Sequence, residues 1–336
     1  MKIHYFANED WEESYVKEKL GDADITFHTG PLSAFPDLRD DSAEALCIFI
    51  DSKVGEAEMA RFPALKLIAT RSTGFDHIDL AAAKARGIAV ATVPFYGENT
   101  VAEFAFALLL ALSRRIIDAR ELVRKTGTFS QDGLRGFDLA GKTLGVVGCG
   151  HIGVHMIRMA RGFGMNVLGF DMHQDEGAAR SLGFSYAALP DLFAQSDIVS
   201  LHVPYNPHTH HLLNRETFAQ MKKGAYLINT SRGAVVETDA LVEALKNGIL
   251  AGAALDVLEE EGDLTDETQL LSAPHPKEEE LKTVLEEHYL IDHPRVIVTP
   301  HIAFNTDEAV RRILDTTVDN LKAFAGGKPE NLVESR

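Results

Sequence analysis

The chain is short of cysteine, short of positive charge and without a long apolar run, and each shortage removes a class of protein. Cys47 and Cys149 are the only cysteines among 336 residues. Two thiols make neither a disulfide framework nor a cysteine-ligated zinc site, so a reducing compartment fits. Cys47 sits in the apolar run ALCIFI and is expected to be a buried, inert thiol. Lys and Arg number 33 against 50 Asp and Glu, a formal net charge of −17. That balance argues against nucleic acid and anionic membranes as partners. The most apolar stretch, Phe104 to Leu112, is bounded by Glu103 and Arg114. It is shorter than the ~20 residues of a membrane span, so a buried helix is expected. No signal-peptide core follows the start MKIHYFANED, which points to the cytoplasm. No internal repeat or low-complexity tract is present.

What is present is ordinary for a globular chain: 45% hydrophobic and 25% charged residues, over a length that suggests two domains. KIHYFA, ADITFH, ALCIFI, ALKLIAT and GIAVATV read as short strands, with the Ala-rich helix HIDLAAAKARG before the last. This alternation implies a parallel sheet with helices on its faces, complete by about residue 100. TVAEFAFALLLALSRRIIDARELVR then reads as one long buried helix, with Thr100 as N-cap and Glu103 completing a capping box. A second series follows: TLGVVGCG, NVLGFD, IVSLHVP, AYLINTS, AGAALDV and RVIVTPH. Six strands are the number in a full dinucleotide-binding sheet. A last helix, Thr306 to Ala325, is expected to cross back to the first unit. The acidic stretch Glu278 to Glu287 reads as a solvated face. The fold class is therefore α/β: two doubly wound parallel-sheet domains, residues 101–301 inserted into a smaller domain made of 1–100 and 302–336.

Within GVVGCGHIG, Gly148 permits a tight turn, Gly150 lets backbone approach a pyrophosphate, and Gly153 lets the helix pack close to its strand. His151 and Ile152 open that helix, whose N–H groups would face the phosphates. Asp171 ends the next strand, where a carboxylate binds ribose hydroxyls and repels a 2′-phosphate, so NAD is favoured over NADP. The other strand ends carry polar residues: His202, Val203 and Pro204; Asn229, Thr230, Ser231 and Arg232; Asp256 and, five residues on, Glu261; and His301. These residue types suit proton transfer to or from an oxygen and the capture of a carboxylate. Imidazole titrates near neutrality and suits the first task. A guanidinium, with two parallel N–H groups, suits the second. A carboxylate partner would orient the imidazole and favour its cationic form. His208, His210 and His211 lack supporting ligand spacing, so no metal is expected there. Cys149, inside the loop, would make NAD binding sensitive to alkylation if its thiol is reactive.

NTSRG, LDVLEEE and TPHIAF, after GVVGCGHIG, resemble the NAD-dependent D-2-hydroxyacid dehydrogenase family over nearly the whole chain. TPHIAFNT and VPFYGENTVAE are most similar to its D-lactate dehydrogenase branch. The resemblance implies a Rossmann NAD domain inserted into a flavodoxin-like substrate domain, with hinges near 100 and 302. It implies His301 as acid and base, Glu261 as its partner, and Arg232 on the substrate carboxylate. It implies that the backbone of Thr73 and Gly74 holds that carboxylate and that Tyr96 touches substrate. Thr100, His202, Val203, Pro204, Thr230, Ser231 and Asp256 join the cofactor-binding set in the same way. Phe304-Asn305 stands where some lactate enzymes carry an aromatic pair. The resemblance also implies a homodimer and D stereochemistry. Glycerate, hydroxypyruvate and phosphoglycerate dehydrogenases are the alternatives, as is a non-catalytic NAD-sensing module of the corepressor kind; Glu261 argues against a formate dehydrogenase.

Overall fold

The computed structural model describes residues 1–259 and 278–333. The chain divides into two units, Met1–Tyr96 with Thr306–Arg336, and Gly97–Asn305.

In the first unit five parallel strands form a sheet in the order β2-β1-β3-β4-β5. They are β1 (Lys2–Ala7), β2 (Asp24–Thr29), β3 (Ala45–Ile48), β4 (Leu67–Thr70) and β5 (Ala89–Ala91). β3 and β4 are buried along their whole length, as expected of strands covered on both faces. One face, with Ile3, Tyr5, Ala7 and Leu67, packs against Val16 of α1 (Asp10–Leu20) and against Leu314, Val318 and Leu321. The last three belong to the final helix, Asp307–Ala325, capped by the Thr306 hydroxyl. The opposite face, with Phe6, Leu46, Ile48 and Ile68, packs against Met59, Phe62 and Ile78 beside α2 (Glu56–Met59) and α3 (Leu80–Ala85). The edge of β5 is closed by Asn331–Val333: Ala91 bridges Leu332 in the antiparallel sense, and Val333 N donates to Val90 O at 2.8 Å. Closing the edge removes a row of unpaired backbone groups.

The second unit holds seven parallel strands in the order β12-β11-β10-β9-β6-β7-β8. They are β6 (Thr143–Val147), β7 (Asn166–Phe170), β8 (Ser185–Tyr186), β9 (Ile198–Leu201), β10 (Ala225–Asn229), β11 (Leu250–Leu255) and β12 (Val296–Val298). The chain enters at β6, runs outward through β7 and β8, then returns to the other side of β6 for β9 to β12. The switch point therefore lies between β6 and β9, where ligands bind beyond the strand ends in such sheets. The helices are α4 (Glu98–Arg114), α5 (Ile116–Thr126), α6 (His151–Gly162), α7 (Glu176–Leu182), α8 (Leu189–Gln195), α9 (Arg215–Ala219), α10 (Thr238–Lys246) and α11 (Glu278–Asp292); the final helix of the first unit is α12. Ala102, Ala105, Phe106 and Leu109 of α4 sit in one core with Met156 and Ile157 of α6 and with Ile228 and Ala254 of the sheet. That burial explains the apolar girdle read from the sequence.

Four readings change. α4 begins at Glu98 with Gly97 as N-cap, and Thr100 is buried within the first turn, so it is not the N-cap. The long helix is two: Arg115 adopts a left-handed conformation at φ 51° and separates α4 from α5. β8, two residues long, makes a seventh strand that its brevity hid. In the acidic stretch Glu287 is buried, so that run is not wholly a solvated face. The α/β class with two doubly wound parallel sheets is as expected.

Candidate active site

The glycine loop follows β6 as a turn that only glycine can make. Gly148 has φ +95°, and a Cβ there would lie 2.4 Å from His202 O. A Cβ on Gly153 would lie 2.0 Å from Gly148 O, so α6 starts as close to the loop as a helix can. Above Gly150 nothing stands within 4 Å of where a Cβ would be, which leaves the approach to the N-terminus of α6 open. Asp171, after β7, accepts from Cys149 N at 2.8 Å and from His173 N at 2.9 Å. It is thus fixed at the rim of the loop with lone pairs still facing outward. His151 is exposed at the start of α6, its Nδ1 3.4 Å from Glu98 Oε1, while Ile152 packs into the core behind. A dinucleotide pyrophosphate fits this cradle: open backbone, a helix N-terminus and a carboxylate for the ribose.

The ends of β9, β10 and β11 carry the next groups. His202 Nε2 lies 2.9 Å from Ser200 Oγ, and desolvation pushes its imidazole down to about 4, so the ring is neutral at pH 7. Val203 packs against the core, and Pro204 O accepts from the Thr209 hydroxyl at 2.7 Å. After β10, Asn229 Oδ1 accepts from both Ser231 N (3.0 Å) and Ser231 Oγ (2.7 Å), while Asn229 Nδ2 donates to Arg232 O at 3.0 Å. One buried amide thereby templates the turn that carries Arg232, whose Nη1 donates to Ser231 O at 2.7 Å. The Thr230 hydroxyl in the same turn is buried and has no hydrogen-bond partner among the described residues. A buried hydroxyl left so is costly unless a ligand meets it.

His301 sits in the left-handed region at φ 51°, strain that must be held from outside. Asp256 holds it. Asp256 O accepts from His301 N at 2.9 Å. Its carboxylate accepts from Thr299 Oγ1 (2.6 Å), Ile302 N (3.0 Å) and Ala303 N (2.8 Å). Burial raises the Asp256 carboxyl above its ordinary value, and those donors oppose the rise. Arg232 and His301 thus follow β10 and β12, the strands on either side of β11, each on a turn fixed by a buried side chain. Glu261 lies outside the described residues.

In the first unit, Thr73 Oγ1 donates to Val93 O at 2.7 Å and Ser72 Oγ to Gly74 O at 2.6 Å. The loop at Thr73 and Gly74 is therefore tied to the segment that leads to Tyr96, whose carbonyl accepts from Arg312 Nε at 2.6 Å. Beneath it, buried Arg71 donates to Glu12, to Phe6 O and to Asn8 Oδ1.

A family model for the D-isomer specific 2-hydroxyacid dehydrogenase NAD binding domain matches residues 106–303. The chain belongs to that family. The D-2-hydroxyacid dehydrogenase is 38% identical to the D-lactate dehydrogenase of Escherichia coli over 99% of this chain and 100% of that one. A glyoxylate reductase of Thermococcus litoralis is also 38% identical, over 86% of this chain and 83% of its own. Among solved structures, the D-lactate dehydrogenase of Aquifex aeolicus, complexed with NAD and lactic acid, superposes with a TM-score of 0.88 at 37% identity, covering 99% of both chains. The dehydrogenase is an NAD-dependent oxidoreductase of the lactate-like branch, and its second unit is a Rossmann domain.

Two features of the dehydrogenase went unread in its sequence. Glu259 ties its own turn to two others: it pairs with His211 Nε2 and accepts from Thr238 N (3.1 Å) and Thr238 Oγ1 (2.8 Å). His211 stacks on His210 at 3.9 Å between ring centroids, and among the described residues no histidine, cysteine and carboxylate cluster could hold a metal. Cys149 is a packing group. Its sulfur would lie 2.6 Å from a Cβ on Gly169, and burial pushes its thiol up to about 12, so it carries almost no reactive thiolate near neutral pH. Cys47 is buried as expected, its thiol likewise pushed up to about 12.

Proposed function

We propose that this dehydrogenase reduces pyruvate to D-lactate, reversibly, with a somewhat larger 2-oxo acid as the next choice of substrate. The observation that carries the proposal is the anchoring of Arg232 and His301 by Asn229 and Asp256 on neighbouring strand ends, in a chain that aligns end to end with D-lactate dehydrogenases. Bound NADH supplies the hydride. His301 gives a proton to the 2-oxo oxygen in reduction and takes it back from the hydroxyl in oxidation. Arg232 clamps the substrate carboxylate through parallel N–H groups and polarises the adjacent carbonyl. Glu261 orients His301. The amides of Thr73 and Gly74 and the ring of Tyr96 contact substrate. Gly148, Gly150, His151, Ile152 and Gly153 cradle the pyrophosphate, Asp171 takes the ribose hydroxyls, and the Thr230 hydroxyl with His202, Val203, Pro204, Ser231 and Asp256 forms the nicotinamide side. Thr100, in the first turn of α4, joins the cofactor-binding set.

The protein is proposed to work in the cytoplasm as a homodimer. Both cysteines are free, and among the described residues no helix is long and apolar enough to cross a membrane. α5 has no buried residue, and Ile116, Ile117, Val123 and Phe129 are exposed along it and just beyond it, an apolar strip suited to a second copy. The activity is tested by following NADH absorbance with a panel of 2-oxo acids and determining the chirality of the product. Turnover of pyruvate to the D isomer is expected; no oxidation of NADH by any 2-oxo acid would overturn the reading.

A further inference from the structure

The second sheet has a cavity at the end opposite the glycine loop, where the strands begin. It is partly open to solvent, has a volume of about 100 Å³, and is lined by Arg115, Arg135 and Arg295 around Phe137 and Tyr226, with Ile117 and Asp118 of α5 also in its wall. We propose that this cavity binds a small oxyanion carrying two or more negative charges.

The backbone that carries each arginine is fixed. Arg115 occupies the left-handed break between α4 and α5. Next to Arg135, Gly136 lies so close to the end of α4 that a Cβ would fall 2.1 Å from Ser113 O, and Phe137 N donates to the same carbonyl at 2.8 Å. Arg295 O accepts from Ala253 N at 3.1 Å and would lie 2.6 Å from a Cβ on Gly252. The guanidinium groups, in contrast, are largely uncommitted. Arg115 Nε pairs with Asp118 at 3.0 Å, which leaves its terminal nitrogens. The side chains of Arg135 and Arg295 make no hydrogen bond or ion pair among the described residues. The floor is aromatic: Phe137 and Tyr226 lie 4.7 Å apart between centroids, with Lys142 Nζ 5.4 Å from the Phe137 ring. Burial raises the Tyr226 hydroxyl, and the charges of Arg295 and Arg115 oppose that rise, so both cations stand near it.

Three guanidinium groups against one carboxylate is a local surplus of positive charge in a chain whose formal net charge is −17. Like charges lining one cavity repel one another. A multiply charged oxyanion relieves that repulsion and accepts from the forked donors. Phosphate groups and carboxylates share this chemistry.

The test titrates pyrophosphate and citrate, separately and by calorimetry, into the protein held with NADH and oxamate, at an ionic strength fixed with sodium chloride. Saturable binding of at least one of the two anions is expected. An Arg135→Ala/Arg295→Ala double variant should weaken it by at least about 10-fold, the loss of one charge-assisted bond or more, with its turnover unchanged. Tighter pyrophosphate marks a phosphate-bearing ligand, and tighter citrate a polycarboxylate. Binding of neither anion, or equal binding by the double variant, overturns the proposal. So does a change in the sedimentation of the double variant without any anion, since the arginines would then be contacts between copies of the chain.

Discussion

Arg232 owes its position to Asn229, whose single amide satisfies both Ser231 and the carbonyl of Arg232 itself. Its proposed task is to present two parallel donors, which lysine lacks. Arg232→Lys is expected to raise KM for the 2-oxo acid by about 10- to 100-fold, the worth of one or more charge-assisted hydrogen bonds. NADH affinity should be unchanged. Steady-state kinetics with fluorescence titration of NADH checks both, and an unaltered kcat/KM removes Arg232 from the site. His202 gives a pH signature of its own. Desolvation lowers its imidazole from 6.5 to about 4 in the folded protein. Below 6.5 the unfolded chain takes up a proton that the folded chain refuses. Stability is therefore full above pH 6.5 and falls as pH drops from 6.5 to 4, by up to about 3 kcal/mol from this one group. His202→Gln should flatten that part of a Tm-against-pH curve, and an identical slope in the variant would show that another group carries it.

At the scale of elements, α6 contains its own control. Gly153 faces Gly148 O with no room for a methyl group, whereas a Cβ on Gly162 meets nothing within 4 Å. Gly153→Ala should push the helix off the loop and cut NADH affinity by at least ten-fold, roughly the cost of displacing a built phosphate cradle. Gly162→Ala should leave NADH binding intact and be neutral or stabilising by ~0.5–1 kcal/mol, since the added side chain narrows the unfolded ensemble. Titration calorimetry and urea unfolding separate the two outcomes. The elements most legible in the sequence were those with a long apolar run or a glycine signal, such as β3, β4, β6 and this helix. β8 was missed because two residues carry no period. The break at Arg115 was missed because Ser113-Arg114-Arg115-Ile116 contains neither glycine nor proline, and arginine takes a conformation usually left to glycine. Thr100 matched a capping box, but the N-cap is Gly97, three residues earlier, and spacing alone does not fix the first turn. In the candidate site, residue types at strand ends could be read. The holding groups could not: Asp256 acts on amides 46 and 47 residues away, a distance no motif encodes.

Across the whole molecule, the apolar strip of α5 lies on a strongly acidic chain that would otherwise resist self-association. Ile116 and Phe129 are 54% and 89% exposed. Replacing both with glutamate should shift a dimer to a monomer in sedimentation velocity at micromolar concentration, while a monomeric parent protein would remove the proposed interface. The pairing of β1 with α12 carries a further consequence, one that concerns synthesis. Leu314, Val318 and Leu321 cover Ile3, Tyr5 and Leu67, yet they leave the ribosome only after the whole Gly97–Asn305 unit. At about 5–20 residues per second that interval is roughly 10–40 s. For that time the strands of the first unit have only α1 against this apolar face, and the rest of it stays uncovered until α12 is translated.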